Sequence, residues 1–267
     1  MGTCKMEIQF RQPSIMQICD HIWLMNDNNE ATGYVVVGNK YAAVIDTMIG
    51  LVNVEAEARK LTNLPLICVN THGHCDHIGG NWSFDEAYIN FADLPVAKEA
   101  LSILEIEAAK QQFDLKYPEF LPIDDGQVFD LGGVKLQAYY LPGHTAGEIV
   151  LLDRADRILF TGDGVIEQIW MQLPEYLPIK TQIQSMQRIQ HLRNEFDTIL
   201  TGHSRCPEKA ELFDHLLLAA IDLENGNTAE DIEYQWFGER AKHILMAENQ
   251  EELFIKDNLL LVHLFAM

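Results

Sequence analysis

The run NTHGHCDHIGGN, residues 70–81, holds three histidines and one aspartate within a few positions of one another. The apolar segment LPLICVN, residues 64–70, precedes it and is typical of a short buried β-strand. We therefore expect the polar cluster to lie on a loop at the end of a strand. Gly79 and Gly80 are expected to supply the backbone freedom that closes this loop.

The polar side chains of this loop are of the kinds that bind metal ions. Imidazole nitrogens and carboxylate oxygens suit zinc, and also iron or manganese. Alternate residues of an extended chain point to the same side, so His72 and His74 can reach one ion. Asp76 and His77 lie just beyond them and can turn towards a second ion. The loop alone thus predicts a site for two divalent metal ions.

Short strands and helices alternate along the rest of the chain. Apolar and β-branched patterns predict strand-rich segments at 14–26, 33–39, 41–47, 134–142, 148–154, 156–163 and 196–204. Helical spacing, with proline or glycine at the ends, predicts helices over 52–62, 95–116, 181–195 and 208–225. The segment 95–116 could equally form a pair of helices. This mixture is typical of an α/β protein.

The composition is that of a globular protein with a large acidic surplus. Hydrophobic residues make up 48% of the chain, and 19 Lys and Arg stand against 40 Asp and Glu, for a formal charge of −21. Such a surface repels phosphate backbones and anionic lipids, so we expect no nucleic acid and no membrane as partner. The five scattered cysteines do not suggest a disulfide framework. With no secretory signal pattern at the N-terminus, a cytoplasmic location is expected.

Further motifs place this loop in a known context. THGHCDH resembles the HxHxDH signature of the metallo-β-lactamase superfamily. Downstream, LPGHTAGE carries His144, FTGDG carries Asp163 and LTGHS carries His203, while VIDT carries Asp46 upstream. These landmarks follow the order found in that family and span residues 33 to 206.

The resemblance implies both a fold and a ligand set. The fold is α/β, an αββα four-layer sandwich with the metals at one edge of its two sheets. The implied ligands are His72, His74 and His144 for the first metal, Asp76, His77 and His203 for the second, and Asp163 as a bridge between the two. Asp46 is implied to orient the ligand loop through hydrogen bonds, as residues behind metal ligands commonly do.

The resemblance also implies a reaction. Two divalent ions, Zn²⁺ first and Fe or Mn as alternatives, share a water whose pKa falls to about 7, which supplies hydroxide at neutral pH. Asp76 is the candidate catalytic residue, because it can orient this nucleophile and relay a proton to the leaving group. The predicted reaction is hydrolysis of a small ester, thioester, lactone or amide.

Other functions stay open at this point. Persulfide dioxygenases resemble the same scaffold with one iron, whereas two-iron flavodiiron proteins typically carry a carboxylate where this chain has His74. A catalytically inactive binding module is a third alternative. Metal analysis distinguishes the hydrolase from the iron oxidoreductase, since one iron per chain favours oxygenation and two zinc ions favour hydrolysis.

The chain is expected to have two parts. Residues 1–207 form the metallo-β-lactamase-like domain, and residues 208–267 form a C-terminal helical extension packed on it, as a cap or the face of a homodimer. Within this extension, the segment 241–265 could be a hairpin or a further helix. The segment 165–178, rich in aromatic residues and proline, is expected either to pack in the core or to line the pocket of a small-molecule substrate. Thr145 and Glu148 are expected to organise the loop that presents His144.

Overall fold

The β-rich N-terminal segments begin a seven-stranded sheet. The computed structural model describes residues 9–28, 31–102, 104–171, 174–227, 232–236, 239–245 and 260–264. The first sheet contains, in spatial order, β1 (Ser14–Cys19), β2 (Ile22–Asn26), β3 (Thr32–Val37), β4 (Ala42–Ile45), β5 (Leu66–Val69), β6 (Glu86–Ile89) and β7 (Glu119–Pro122). The strands up to β4 pair antiparallel, and those from β4 to β7 pair parallel.

The second half of the chain forms a six-stranded sheet. Its strands are β8 (Val128–Asp130), β9 (Lys135–Tyr140), β10 (Ile149–Asp153), β11 (Ile158–Gly162), β13 (Thr198–Thr201) and β14 (Glu208–Lys209). The strand between β11 and β13 in the sequence, β12 (Gln168–Met171), belongs to a third sheet. The spatial order is β14-β13-β11-β10-β9-β8, without β12. β11 and β13 run parallel, and the other pairs are antiparallel.

The two sheets pack face to face because alternate residues of their strands are apolar. Tyr34 and Val36 of β3 belong to the core between the sheets, whereas Val35 points to the opposite face. Phe160 of β11 meets Tyr34 edge-on, with ring centroids 5.3 Å apart. The Tyr34 hydroxyl donates a 2.6 Å hydrogen bond to the carbonyl of Thr201. This bond joins the sheets close to the edge where the site lies.

Helices cover the outer faces. They are α1 (Val54–Ala58), α2 (Cys75–Ile78), α3 (Leu94–Ala100), α4 (Leu104–Phe113), α5 (Ile179–Ile189) and α6 (Glu211–Glu224). α1 packs on the first sheet, and α5 and α6 share one apolar core with the second. The αββα sandwich is thereby confirmed. Among the residues with described structure, no helix is both long and apolar enough to span a bilayer.

The predicted C-terminal extension differs from the observed structure. α6 is a helix, as expected, and it packs against the second sheet through buried side chains such as Phe213 and Leu216. Beyond it, the described segments are strands, β15 (Ile232–Trp236), β16 (Glu239–Leu245) and β17 (Leu260–Leu264). They form a third sheet with β12, in the order β12-β17-β16-β15. A wholly helical extension is therefore wrong, because backbone pairing with β12 holds this part as strands; the division of the chain at residue 207 stays a prediction.

Two helical predictions are refined by the structure. The segment 95–116 is a pair of helices, α3 and α4, rather than one. The segment 181–195 is α5 followed by a 3-10 turn over Gln190–Glu195. The ends of β4, β5, β9, β11 and β13 each lead into a loop that carries one or more of the predicted site residues.

Candidate metal centre

The ligand loop lies between β5 and α2 and is only partly extended. His72 and His74 precede the helix, with His74 at its N-cap in an extended conformation, whereas Asp76 and His77 lie on its first turn. The expectation of a fully extended loop is therefore corrected. The backbone N–H of His77 bonds to the carbonyl of His74 at 3.0 Å. Because neighbouring helical residues project in different directions, the turn directs Asp76 and His77 to different parts of one site.

The glycines after the ligand loop serve close packing rather than flexibility. Gly79 has an ordinary helical φ of −58°. A Cβ atom there would lie 2.4 Å from the carbonyl carbon of Ile49, and one on Gly80 would lie 2.3 Å from the carbonyl oxygen of Thr47. The prediction that these glycines are needed for backbone freedom is thus wrong. They are needed because the loop after β4 passes directly against them.

Three imidazoles converge at the first predicted position. His72 Nε2 and His74 Nδ1 are 3.0 Å apart, and His144 Nε2 lies 3.0 Å from the same His74 nitrogen. Two ligand nitrogens of a tetrahedral zinc ion, with Zn–N about 2.0–2.1 Å, are about 3.3 Å apart. The spacing of the three nitrogens therefore suits a single ion at their centre.

The outward nitrogens of two of these rings contact hydrogen-bond acceptors. His74 Nε2 lies 2.6 Å from Oε1 of Glu175, and His144 Nδ1 lies 2.7 Å from the carbonyl oxygen of Trp170. A carboxylate and a carbonyl accept hydrogen bonds, so each outward nitrogen carries a hydrogen, and in a neutral ring the inward nitrogen is then the acceptor. In the neutral rings, His74 Nδ1 and His144 Nε2 hold lone pairs that face each other.

Asp46 fixes the other two buried rings in the same sense. His77 Nδ1 lies 2.9 Å from Oδ2 of Asp46, which also accepts the hydroxyl of Thr71 at 2.7 Å. Since that hydroxyl is already donating, its oxygen accepts from His72 Nδ1, 3.1 Å away. The backbone N–H of Thr71 bonds to Asp46 Oδ1 at 2.8 Å. The predicted hydrogen bonds between the ligand loop and Asp46, which accepts them, are thus present.

The remaining ligands gather around Asp163. Its Oδ1 lies 3.5 Å from His77 Nε2, and its Oδ2 lies 3.2 Å from His203 Nε2 and 3.7 Å from His144 Nε2. Asp76 Oδ2 is 3.4 Å from His203 Nε2 and 3.8 Å from His77 Nε2. Asp163 therefore touches the first triad through His144 and the second through His77 and His203, which is the placement expected of a bridging ligand. All seven predicted site residues are brought together.

Among the predicted ligands, two buried atoms have no hydrogen-bond partner in the described part of the chain, His77 Nε2 and Asp163 Oδ1. Burying polar atoms without a partner costs on the order of 1–3 kcal/mol each. A divalent cation between them would satisfy both. The donor set, the lone pairs at the first triad and these unpaired atoms all fit two divalent metal ions.

Burial and neighbouring charges divide the histidines into two groups. Burial, with the other imidazoles nearby, holds the pKa of His72 well below its usual value and lowers the pKa of His144 to about 4. Burial acts in the same direction on His77 and His203, but the carboxylates of Asp163 and Asp76 outweigh it. They raise the pKa of His77 well above its usual value and that of His203 to about 9. The rings of His72 and His144 are thus held neutral, whereas His77 and His203 lie among acids that attract positive charge.

The centre is closed on one side and open on the other. The side chains of His72 and His77 are fully buried, whereas those of Asp76 and His203 are 27% and 31% exposed. Glu175 also lies at the open side, with 26% of its side chain exposed. A small molecule can therefore approach the second triad from solvent.

Sequence reasoning missed some residues that support the ligands. Glu175 and the Trp170 carbonyl lie in the segment 165–178, which was expected either in the core or at a pocket, and their contacts place it beside the first triad. Thr145 and Glu148 are buried in the loop of His144, and Glu148 Oε2 lies 3.4 Å from His72 Nδ1. No local pattern marks Glu175, because its partner is 101 positions away.

Comparisons with known proteins agree with this geometry. The family model of the metallo-beta-lactamase superfamily matches residues 29–203. The acyl-coenzyme A thioesterase MBLAC2 of Homo sapiens is 28% identical over 66% of this chain and 73% of that protein. A hydroxyacylglutathione hydrolase of Methylococcus capsulatus is 27% identical over 54% of this chain and 56% of that protein.

A solved structure shows the same fold. The metallo-beta-lactamase from Pontibacter korlensis superposes with a TM-score of 0.61 and 21% identity, covering 79% of this chain and all of that one. The family model covers well over half of the chain, including every predicted ligand. The chain therefore belongs to the metallo-β-lactamase superfamily.

Proposed function

We propose that the chain is a metal-dependent hydrolase that cleaves small thioesters, and related esters or lactones, at a centre holding two divalent ions. Zinc is the first candidate for both ions, with iron or manganese as alternatives. His72, His74 and His144 would hold one ion and Asp76, His77 and His203 the other, with Asp163 between them. The proposal extends the family assignment to an activity and a ligand set.

One observation carries the proposal. His74 Nδ1 lies 3.0 Å from Nε2 of both His72 and His144. The outer partners of the His74 and His144 rings leave lone pairs on the inner side when the rings are neutral. Lone pairs at this distance repel each other unless a cation lies among them. The same centre contains Asp163, whose unpaired Oδ1 faces the equally unpaired Nε2 of His77. Acceptors gathered in this way favour a binuclear site over a purely structural cluster.

The chain's own residues would supply orientation and proton transfer. Two divalent ions at such a site provide a hydroxide at neutral pH and polarise a carbonyl oxygen. Asp76 is the proposed catalytic residue, since its carboxylate reaches His203 at 3.4 Å and is partly open to solvent. From there it can take a proton and pass it to the leaving group. Glu175 and Asp46 would keep the rings in one tautomer throughout the reaction.

The choice of thioesters comes from the relatives. Two of them are named an acyl-coenzyme A thioesterase and a hydroxyacylglutathione hydrolase, and both names denote hydrolysis of a thioester. At 27–28% identity they support the bond that is broken rather than a particular acyl group. Since a thiolate is a good leaving group, the protonation by Asp76 should matter less for thioesters than for esters or amides.

We also propose that the partner is a small molecule. The formal charge of −21 disfavours nucleic acid and anionic membranes as partners. A homodimer through residues 208–267 and a cytoplasmic location stay predictions.

Elemental analysis combined with a substrate panel tests the proposal. The purified protein should contain about two divalent ions per chain and should hydrolyse acyl thioesters, with esters, lactones and a β-lactam as comparison substrates. His203→Ala should reduce the metal content to about one ion and abolish most of the activity. His191→Ala is the matched control, because His191 is exposed and its Nδ1 lies 3.0 Å from the carbonyl oxygen of Arg188, which belongs to neither triad. That control should keep both ions.

Two outcomes would contradict the proposal. A fully metallated protein that hydrolyses none of these substrates would refute the hydrolase function. One iron per chain, with oxygen uptake in the presence of a persulfide, would support the iron-dependent persulfide dioxygenase alternative instead. The complete second triad, with Asp76 and His203 3.4 Å apart, is the reason we favour the hydrolase.

A further inference from the structure

Asp93 is a buried residue at the N-terminus of α3 whose carboxylate accepts no hydrogen bond from that helix. It ends the 3-10 turn Phe91–Asp93 after β6 and occupies the N-cap position of α3. Aspartate at an N-cap usually accepts a hydrogen bond from the first turn of its helix. Asp93 makes no such bond, although it is fully buried. Its carboxylate points instead towards two other loops.

Both carboxylate oxygens receive hydrogen bonds from the loops that carry the first triad. Oδ2 accepts the backbone N–H of Gly73 at 2.9 Å and the hydroxyl of Thr145 at 2.7 Å. Oδ1 accepts the backbone N–H of Gly147 at 2.6 Å. Gly73 lies between His72 and His74, and Thr145 directly follows His144. One carboxylate is therefore bonded beside all three ligands of the first triad.

The two loops are shaped to receive this side chain. A Cβ atom on Gly147 would lie 2.7 Å from the carboxyl carbon of Asp93, and one on Gly73 would lie 2.9 Å from its carbonyl oxygen. Neither glycine is described with a positive φ. Each is thus needed for the close approach to Asp93 rather than for an unusual backbone conformation.

We infer that Asp93 is a positioning residue that fixes the distance between the His72–His74 loop of the first sheet and the His144 loop of the second. The two loops follow strands of different sheets, so no β-ladder sets their separation. The first triad needs nitrogens from both loops within 3.0 Å of each other. Burial and the three donors hold the carboxylate rigidly between them. In its effect on metal affinity, this inference rests on the proposed function.

Asp93→Asn is the most direct perturbation. An amide has one acceptor oxygen and one donor nitrogen, so at least one of the three donors would face another donor. We expect the metal-free variant to bind its tighter zinc ion at least about tenfold more weakly than the wild type, as measured by competition with a chromophoric chelator. Asp153→Asn is the matched control. Asp153 is also fully buried and accepts two backbone N–H groups, but it is the last residue of β10, at the opposite end of that strand from the His144 loop.

A smaller pair of variants guards against misfolding. Thr145→Val removes one of the three donors, and Thr145→Ser keeps the hydroxyl. We expect the valine variant to lose zinc affinity, as Asp93→Asn does, because one hydrogen bond to a charged acceptor changes an equilibrium constant by about tenfold or more. The serine variant keeps that bond, so its zinc affinity should stay within about twofold of the wild type. Circular dichroism and thermal unfolding of the metal-free proteins show that each variant is folded.

Amide hydrogen exchange tests the hydrogen bonds from Gly73 and Gly147 to Asp93 without any metal. In the metal-free protein, the amides of Gly73 and Gly147 should exchange at least about tenfold faster in Asp93→Asn than in the wild type. The amides of β5 and β10 should keep their protection. A wild-type protein that binds no metal would refute the proposed function. The exchange rates would still show whether Asp93 holds the two loops together.

Two results would overturn the inference. One is unchanged exchange at both glycines in a folded Asp93→Asn variant. The other is a loss of zinc affinity in Asp93→Asn no larger than that in Asp153→Asn, because general destabilisation would then account for it.

Discussion

The hydrogen bonds of Asp46 make a quantitative prediction. Asp46 is 2% exposed and accepts three hydrogen bonds, from the backbone and hydroxyl of Thr71 at 2.8 and 2.7 Å and from His77 Nδ1 at 2.9 Å. In Asp46→Asn, the single amide oxygen can keep the two bonds at the Oδ2 position. The amide nitrogen then replaces Oδ1 and faces the N–H of Thr71, so one bond is lost and a buried donor is left unpaired.

The expected cost follows from that geometry. Losing one bond to a charged acceptor, with an unpaired buried donor, lowers the free energy of unfolding by about 2 kcal/mol. For a chain of this size, about 2 kcal/mol lowers the melting temperature by roughly 4–8 °C. Because a neutral amide oxygen holds the N–H of His77 less strongly than a carboxylate does, the affinity for the ion at the second triad should fall about 10–100-fold.

Differential scanning calorimetry of the metal-free protein and chelator competition with zinc measure the two effects separately. Asp153→Asn again serves as the control, since its buried carboxylate lies far from both triads. A folded Asp46→Asn variant with an unchanged melting temperature and unchanged zinc affinity would refute the argument. A loss of stability without any loss of affinity would show that Asp46 supports the fold but does not orient His77.

Three further changes probe other parts of the structure. Glu175→Gln removes the carboxylate that accepts from His74 Nε2. It should weaken zinc binding about tenfold in a chelator titration and leave the melting temperature of the metal-free protein within a few degrees of the wild type. An unchanged zinc affinity would contradict the assigned tautomer of His74. Gly202→Ala would place a Cβ atom 2.4 Å from Asp163 Oδ1 and 2.5 Å from the His77 ring. Elemental analysis should therefore find less metal than in the wild type. An unchanged metal content would count against a ligand role for Asp163 and His77. Phe213→Ala empties a core position of α6 and should lower the free energy of unfolding by about 3–5 kcal/mol in urea titrations, with metal affinity preserved in the folded protein; a neutral effect would mean that α6 does not pack on the second sheet.

The parts of the fold that sequence reasoning predicted are those with local signals. Strands such as β3, β10 and β11 are short apolar runs, and α6 has helical spacing with Gly226 after its end. β6, β7, β8 and β12 were not predicted, because each has only three or four residues. β6, β7 and β12 also pair with strands distant in the sequence, whereas β8 pairs with the neighbouring β9. After α6, a hairpin and a further helix were both open over 241–265, and β16 and β17 pair antiparallel there, in a sheet that begins with the pairing of β12 and β17.

The candidate site divides in the same way. The ligand-type residues stand in motifs that can be recognised locally, and the structure brings all seven together. Their metal-binding roles remain predictions that the experiments above address. Asp93 and Glu175 carry no such signal, because each acts through contacts that exist only after the two sheets have packed. The need for Gly79 and Gly80 was recognised, but its cause was not, since the passage of Ile49 and Thr47 cannot be read from one sequence segment.

The most direct test of the binuclear centre is anomalous X-ray diffraction from crystals of the metal-replete protein, recorded at the absorption edge of the metal that elemental analysis identifies. We expect two peaks, one about 2.0–2.1 Å from Nε2 of His72, Nδ1 of His74 and Nε2 of His144 if the metal is zinc. The second peak should lie among Asp76, His77 and His203, with Asp163 between the two. A single peak, or two peaks away from these side chains, would contradict the binuclear centre from which the proposed hydrolysis follows.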